Sequence, residues 1–224
     1  MAPSEPGPPP MPTPEIVQGG PPRWCRGWWS AARACPSPNA GERPPGCRPS
    51  LLVLHSISLP PGQYGGDQIE RLFTNRLDWS EHPYFETIRD LQVSAHFLIR
   101  RDGALLQFVS ADRRAWHAGP SCWAGRENCN DWSIGIELEG LEGHCFEPAQ
   151  YAALVALAAA IAQQYPVDEV VGHEHIAPGR KLDPGPGLHW HDLLSHCEWP
   201  PGIRCQVHGV EAAATAAPTP QPGR

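Results

Sequence analysis

The feature that most constrains the fold is a largely apolar run of seven residues, Leu51–Ile57 (LLVLHSI), with turn-forming residues on both sides. A short continuous run of this kind predicts a strand that is buried on both faces, as in the centre of a sheet. The run carries His55 near its carboxyl end, directly before a loop rich in proline and glycine at 58–66. A single histidine at a strand end is more often a hydrogen-bonded structural side chain than a metal ligand. His55 is therefore a candidate ligand only if other ligand residues lie beside it.

Other apolar segments predict further strands at 93–100, 104–109, 132–138 and 167–171. The Arg-Asp-Gly tripeptide at 101–103 predicts a hairpin between the first two of these. The clearest helix spans 147–165, because Leu154, Leu157 and Ile161 recur at helical spacing and Pro166 ends the pattern. Shorter helices are predicted at 67–73, 83–89 and 188–196. This mixture predicts an α/β (α+β) fold, with a central mixed β-sheet flanked by helices.

The composition and net charge limit the number of domains and the classes of partner that the chain can have. We expect one domain over 24–206, a disordered proline-rich tail at 1–23 and a disordered tail rich in alanine and proline at 207–224. A net charge of −7 gives no basic surface for nucleic acid or anionic lipid. The chain has no apolar run long enough for a transmembrane helix. We therefore expect neither a nucleic-acid nor a membrane partner.

The compartment follows from the amino terminus and the cysteines. The first residues, MAPSEPGPPP, have neither the basic nor the apolar segment of a secretory signal peptide, so we expect a cytoplasmic protein. The chain has 8 cysteines, and none of them form a Cys-x-x-Cys pair. In a reducing compartment these residues are expected to be free thiols.

A second segment, 171–186 (VGHEHIAPGRKLDPGP), concentrates polar groups among glycines and prolines that fix bends in a loop. Joined with His55, the residues His173 and Asp183 give two imidazoles and one carboxylate. With a fourth position left to water, this is the composition of a catalytic rather than a structural zinc site. We interpret His175 as a loop residue and not as a ligand, since residues two apart point alike only in a strand.

Three further residues are candidates for chemistry beside such a metal. Glu137 lies on the polar face of its predicted strand, where it could act as the general base; Glu139 shares that face and competes for this role. Lys181 could stabilise the oxyanion that forms when water attacks a carbonyl, or it could be a plain surface lysine. Trp116 could form an apolar wall for a sugar or peptide, with His117 as a polar contact, or it could be a core residue.

Five segments carry a resemblance to a known family, and together they extend over about residues 28–194. The segments are LLVLHSISLPPGQYGG (51–66), VSAHFLIRRDG (93–103), RAWHAG (114–119), CNDWSIGIELEG (129–140) and GHEHIAPGRKLDPGP (172–186). As a set they resemble the zinc-dependent N-acetylmuramoyl-L-alanine amidases of type 2. The resemblance implies a fold shared with peptidoglycan recognition proteins.

The resemblance also implies a site and a reaction. One Zn²⁺ is expected on His55, His173 and Asp183, with Glu137 as general base and Lys181 as oxyanion stabiliser. The implied reaction is hydrolysis of the amide between (1,6-anhydro)-N-acetylmuramic acid and L-alanine, in cytoplasmic recycling of cell-wall muropeptides. The expected partner is an anhydromuropeptide substrate, and we expect the protein to be a monomer.

Residues Ser56, Trp116, His117 and Asn128 are the expected substrate contacts. Two of them depart from the family pattern: Ser56 stands where asparagine is usual, and Asn128 stands where a basic residue is common. Leu182 also replaces a common threonine. A basic side chain at 128 would suit a peptide carboxylate, so Asn128 puts that contact in question.

Three alternatives stay open at this level. The chain could bind peptidoglycan without cleaving it, as relatives with this fold do after losing a metal ligand. It could be a periplasmic amidase that acts on intact peptidoglycan. A thiol hydrolase using Cys129 is the weakest alternative, because no motif places a base beside that cysteine.

Overall fold

The computed structural model of the chain describes residues 21–195 and 204–205. The predicted tails at 1–23 and 207–224 lie outside the described residues, apart from 21–23. The domain boundaries at 24 and 206 therefore stay predictions.

A mixed sheet of seven strands runs through the described part of the chain. Its strands, from one edge to the other, are Arg204–Cys205, Glu169–Gly172, Leu51–Ile57, Ser133–Glu139, Phe97–Ile99, Leu105–Gln107 and Arg33–Ala34. The neighbours pair in parallel, except for Phe97–Ile99 and Leu105–Gln107, which form the predicted antiparallel hairpin. The predicted mixed sheet is thus confirmed, and Leu51–Ile57 is a central strand with the predicted bounds.

One face of the sheet is covered by the long helix Pro148–Gln164. Leu154, Leu157 and Ile161 of this helix are buried in one cluster with side chains of the two central strands, Leu52, Leu54, Ile134, Ile136 and Leu138. The helix begins after Glu147, whose backbone N–H donates a hydrogen bond to Oε1 of Gln150 at 3.0 Å. Burial of this apolar stripe holds the helix on the sheet.

The opposite face is covered by shorter elements. They are the helices Gln68–Phe73, Pro83–Thr87 and His173–Ile176 and the 3-10 helices Trp79–Glu81 and Cys129–Asp131, with parts of the loops between them. The helix Trp190–Ser195 lies on the same face as the long helix, because Trp190 and Leu193 are buried in the cluster of that helix. Three strand pairs lie outside the main sheet: Trp24–Cys25 with Trp28–Trp29, Ala40–Gly41 with Arg114–Ala115, and Cys122–Trp123 with Arg126–Glu127. The sequence predicted helices at 67–73, 83–89 and 188–196, and the structure has helices within each of these ranges. At 115–130 and at 173–176 the sequence predicted only a loop.

Two expectations about the whole chain concern its thiols and its helices. Each of the 6 cysteines between Cys25 and Cys145 is a free thiol. Among the described helices, none has the length and apolar character needed to cross a membrane.

Candidate metal centre and active site

The register of three parallel strands brings the predicted polar residues to one edge of the sheet. Glu137 is paired with His55, and Gly172 is paired with Leu54 on the other side of the central strand. His173 directly follows Gly172, so it lies level with His55. Because Leu54 faces the long helix and side chains alternate along a strand, His55 and Glu137 point to the opposite face.

His55, His173 and Asp183 converge on one point. The Nδ1 atoms of the two imidazoles lie 2.9 Å apart, and Asp183 Oδ2 lies 3.1 Å from His55 Nδ1 and 3.0 Å from His173 Nδ1. All three residues are buried. Among the described residues, this is the group of histidine, cysteine and acidic side chains whose ligand atoms could hold a metal ion.

The electrostatics of the three residues suit a divalent cation. Burial, together with the nearby His173, lowers the pKa of His55 to about 4, so this imidazole is neutral at neutral pH. Burial alone would raise the pKa of Asp183, but its contacts with His173 and His55 outweigh burial and lower the pKa below its usual value. Imidazole nitrogen and ionised carboxylate oxygen are the ligands that Zn²⁺ accepts in catalytic sites. The residues present therefore fit the expected metal.

Glu137 and Glu139 differ in a way that separates the two candidate bases. Glu139 forms an ion pair with Arg100 at 2.7 Å and accepts hydrogen bonds from the backbone N–H groups of Gly65 and Arg101. Glu137 is only 9% exposed, and its Oε2 is buried with no hydrogen-bond partner among the described residues. Burial, reinforced by Asp183 and opposed by Lys181, raises the pKa of Glu137 well above its usual range. Glu137 is thus the carboxylate that is available for proton transfer.

A cavity of about 350 Å³ opens over these residues. Its polar end is lined by the three candidate ligands, Glu137 and Lys181. Apolar side chains form much of the rest of the lining, including Leu59, Phe73, Tyr84, Ile88 and Val93. The cavity therefore combines a cluster of polar residues with walls that can hold a larger organic molecule.

Comparison with known proteins identifies the family. The family model described as N-acetylmuramoyl-L-alanine amidase matches residues 45–186, which include all of the residues in this polar cluster. The chain belongs to the N-acetylmuramoyl-L-alanine amidase family. The predicted family and enzyme class are confirmed.

Individual relatives of this amidase extend the match. The chain is 53% identical to the 1,6-anhydro-N-acetylmuramyl-L-alanine amidase AmpD of Citrobacter freundii, over 73% of this chain and 89% of that protein. It is 52% identical to the enzyme of the same name from Escherichia coli strain K12, over 74% of this chain and 91% of that protein. A crystal structure of a selenomethionine derivative of AmpD is 50% identical, with a TM-score of 0.74, and the match covers 77% of this chain and 98% of that chain.

The residues predicted to contact the substrate do not all line the cavity. Ser56 and Trp116 line the cavity. His117 also reaches the lining, but it is buried behind His55, with its Nδ1 2.9 Å from His55 Nε2 and its Nε2 3.2 Å from Ser133 Oγ. Asn128 is exposed and is not among the described residues that line the cavity. The structure thus brings Ser56 and Trp116 to the cavity, gives His117 a different set of partners, and leaves Asn128 outside.

Two further predictions concern residues beside the centre. His175 is not a loop residue as predicted, because it lies in the one-turn helix His173–Ile176. There its Nδ1 accepts a hydrogen bond from the Gly172 N–H at 2.9 Å, away from the metal-binding point. The side chain of Cys129 is buried, and burial raises the pKa of its thiol. A buried thiol with a raised pKa is a poor nucleophile, which argues against the thiol-hydrolase alternative.

The partners of His117 were not found by reading the sequence. Asn130 and Ser133 follow it by 13 and 16 positions and belong to other elements. The motif Trp-His-Ala-Gly marked this segment as unusual, but its contacts arise only when the 3-10 helix and the strand pack against it.

Proposed function

We propose that this protein is a zinc-dependent amidase that hydrolyses the bond between 1,6-anhydro-N-acetylmuramic acid and L-alanine in muropeptides. The observation that carries the proposal is the convergence of His55, His173 and Asp183 in a cavity shared with Glu137 and Lys181. It is supported by relatives, more than half identical in sequence, whose name states this activity.

His55, His173 and Asp183 would hold the metal through the two Nδ1 atoms and Oδ2. A zinc ion bound there supplies Lewis-acid activation of the attacking water and of the carbonyl group. The three residues keep this centre at the carboxyl end of two rigid parallel strands, where small displacements are resisted by the buried core.

Glu137 transfers the proton in this mechanism. Its carboxylate accepts a proton from the attacking water, whose oxygen bonds to the carbonyl carbon of the lactyl group. Glu137 then gives this proton to the nitrogen of L-alanine as the carbon–nitrogen bond breaks. The products are a free lactyl carboxyl group and a peptide with a free amine. A raised pKa allows Glu137 to keep the proton between the two steps.

Lys181 and the cavity walls supply the rest. The ammonium group of Lys181 shares the cavity with Glu137 and would stabilise the negative charge that develops on the carbonyl oxygen. Trp116 and Ser56 would contact the sugar or the first residues of the peptide. Asn128, which lies outside this cavity, would touch only a substrate that extends beyond it.

We further propose that the protein works as a monomer in the cytoplasm, in the recycling of muropeptides. A net charge of −7 offers no attraction to an anionic membrane surface. Cell fractionation and sedimentation of the purified protein test these two statements. Enrichment in a periplasmic fraction would favour the alternative of an amidase that acts on the intact wall.

The proposal is tested by measuring zinc content and amide cleavage on the same preparation. We expect about one zinc ion per chain, release of peptide from an anhydromuropeptide, and much slower release from intact peptidoglycan. A preparation that holds zinc but leaves both substrates uncleaved would contradict the enzyme and favour a binding module. Equal cleavage of both substrates would contradict the preference for the anhydro sugar.

A further inference from the structure

The two candidate histidine ligands each contact the same short segment through the ring nitrogen that faces away from the metal-binding point. His55 Nε2 lies 2.9 Å from His117 Nδ1, and His173 Nε2 lies 3.1 Å from the carbonyl oxygen of Ala118. His117 and Ala118 are consecutive, so one dipeptide contacts the outer nitrogen of both imidazoles. In metal sites such contacts fix the orientation and the protonated nitrogen of each ligand.

The direction of each hydrogen bond follows from the groups at its ends. A carbonyl only accepts. Arg180 Nη2 lies 3.5 Å from His173 Nε2, but it donates to the carbonyl oxygens of Ala118 and Pro120 at the shorter distance of 2.7 Å. His173 therefore carries its proton on Nε2, which faces the Ala118 oxygen, and presents a lone pair at Nδ1. The Ser133 hydroxyl donates its one proton to the Cys129 carbonyl at 2.6 Å, and therefore accepts from His117 Nε2. His117 Nδ1 is then an acceptor.

The remaining step concerns His55. Because His117 Nδ1 accepts, His55 donates from Nε2, and its Nδ1 also presents a lone pair to Asp183 and His173. Three acceptor atoms thus face one another within 3.1 Å with no hydrogen between them. A bound cation resolves this repulsion, so the chain of hydrogen bonds prepares both imidazoles for a metal.

Two other residues keep the dipeptide in place. Asn130 is buried, and its Oδ1 accepts hydrogen bonds from the backbone N–H of His117 at 3.0 Å and of Ala118 at 2.8 Å. Gly135 makes room for the imidazole of His117, because an added Cβ would lie 2.5 Å from its Cγ. The position of the ring is therefore set by the strand beneath it and by the amide beside it.

We infer that His117 and Ala118 are the positioning residues of the metal site, and that the relay from His55 through His117 to Ser133 sets the tautomer of His55. His117 is thus assigned to orienting a ligand rather than to contacting the substrate. This inference rests on the proposal that His55, His173 and Asp183 hold zinc.

The test compares two substitutions of one residue. In His117→Asn, the amide oxygen occupies the place of Nδ1 and can still accept from His55. In His117→Phe, a ring of similar shape stays but the acceptor is lost. Zinc affinity is measured by competition with a chromogenic chelator, and the ligand geometry is followed by the visible absorption spectrum of the Co²⁺ form.

We expect His117→Phe to weaken zinc binding by about 10- to 100-fold and to change the Co²⁺ spectrum, whereas His117→Asn stays within about threefold of the unsubstituted protein. The control is His96→Asn, which alters another buried imidazole, whose Nδ1 accepts from the Gly135 N–H at 3.0 Å. The ring of His96 packs against that of His117, with 5.7 Å between their centroids, but among the described residues it has no hydrogen bond to a candidate ligand. This control is expected to change the melting temperature of the zinc-free protein but not the zinc affinity.

Full zinc affinity in His117→Phe, or equal loss in both His117 variants, would overturn the inference. If His117→Phe does not fold, Ser133→Ala decides, since it leaves every ring in place and is expected to weaken zinc binding by about 3- to 10-fold. Full zinc affinity in Ser133→Ala would then overturn the relay. If the unsubstituted protein binds no zinc, the proposed function fails instead, so the two failures are distinguishable.

Discussion

At the scale of single residues, the strongest indication of chemistry is Oε2 of Glu137. This oxygen is buried and has no hydrogen-bond partner among the described residues. Leaving a buried polar group unpaired costs about 1–3 kcal/mol, and more for a charged group. Such a group persists in a folded protein when it serves binding or catalysis. Here it faces the cavity that holds the candidate metal ligands.

Replacement of Glu137 by glutamine is expected to lower kcat by about 10²- to 10⁴-fold without loss of zinc, because only proton transfer is removed. Peptide release and zinc content are measured together. The matched control is Glu139→Gln, which breaks the buried pair with Arg100 and should lower the melting temperature but keep kcat. Retained turnover in Glu137→Gln, with loss in Glu139→Gln, would reassign the base.

Asp183 contributes the only carboxylate among the three candidate ligands. Its replacement by alanine is expected to abolish stoichiometric zinc binding, since two imidazoles alone leave the site without its negative charge. Elemental analysis after dialysis measures the zinc content. Glu174→Gln, a change in the same segment at a residue outside the ligand group, should retain zinc. Normal zinc content in Asp183→Ala would remove this residue from the ligand set.

His96 gives the protein a specific sensitivity to acid. Burial, helped by the positive charge of Arg43, lowers the pKa of His96 to about 3, while the carbonyl of Arg113 opposes this shift. The group is neutral when folded, and the unfolded chain binds its proton below about pH 6.5. Stability is therefore complete above that pH and falls as the pH drops towards 3.

In the zinc-free protein, His96→Asn should make the free energy of unfolding less dependent on pH between 6 and 4, by up to about 1.4 kcal/mol per pH unit. Urea unfolding of both proteins at several pH values measures this difference. The buried imidazoles of His55 and His117, whose pKa values burial also lowers, are present in both proteins. Parallel pH dependences would show that His96 is not the group responsible.

At the scale of elements, the sequence predicted what hydrophobic periodicity encodes. Leu51–Ile57 has a run of buried side chains, and the long helix has an apolar stripe ended by proline, so both were predicted with bounds close to those observed. The carboxyl ends of neighbouring parallel strands meet at one edge of the sheet. The sequence placed His55 and Glu137 on predicted strands and His173 after one, but their long-range spacing could not show that they converge.

Features that arise from tertiary contacts could not be predicted from the sequence. The one-turn helix His173–Ile176 lies in a segment rich in glycine and proline, and a single turn has no periodicity to detect. The partners of His117 come from elements 13 and 16 positions later, and neither spacing is a local signal. Asn128 follows a hairpin that turns it outwards to solvent, so a family position alone did not place it.

Gly135 is the element-scale feature that is easiest to test. In Gly135→Ala, the new methyl group must displace the imidazole of His117 or shift the strand, since the Cβ would lie 2.5 Å from the ring. We expect a loss of about 1–3 kcal/mol in the free energy of unfolding and weaker zinc binding. Thermal unfolding and chelator competition measure the two effects.

The matched control is Gly41→Ala, in the short strand Ala40–Gly41, where the nearest atom to an added Cβ is 3.9 Å away. This substitution should leave both quantities nearly unchanged. If Gly135→Ala behaved like Gly41→Ala, the close packing of His117 on the strand would be excluded.

At the scale of the whole molecule, the main apolar core and the candidate metal centre lie on opposite faces of the sheet. One face is closed by the long helix and carries the largest apolar cluster among the described residues. The other face carries the polar centre at the carboxyl ends of its strands, under shorter elements that leave a cavity open. A rigid sheet with loops on one side allows buried polar groups to converge without disturbing the main core.

The central statement, that this centre hydrolyses an amide between a muramic acid and L-alanine, is tested most directly with labelled water. The zinc-loaded protein is incubated with a 1,6-anhydromuropeptide in H₂¹⁸O, and both products are weighed by mass spectrometry. We predict one ¹⁸O atom in the lactyl carboxyl group of the anhydro sugar and an unlabelled peptide that begins with L-alanine. An uncleaved substrate, or ¹⁸O in a product of cleavage at another bond, would contradict it.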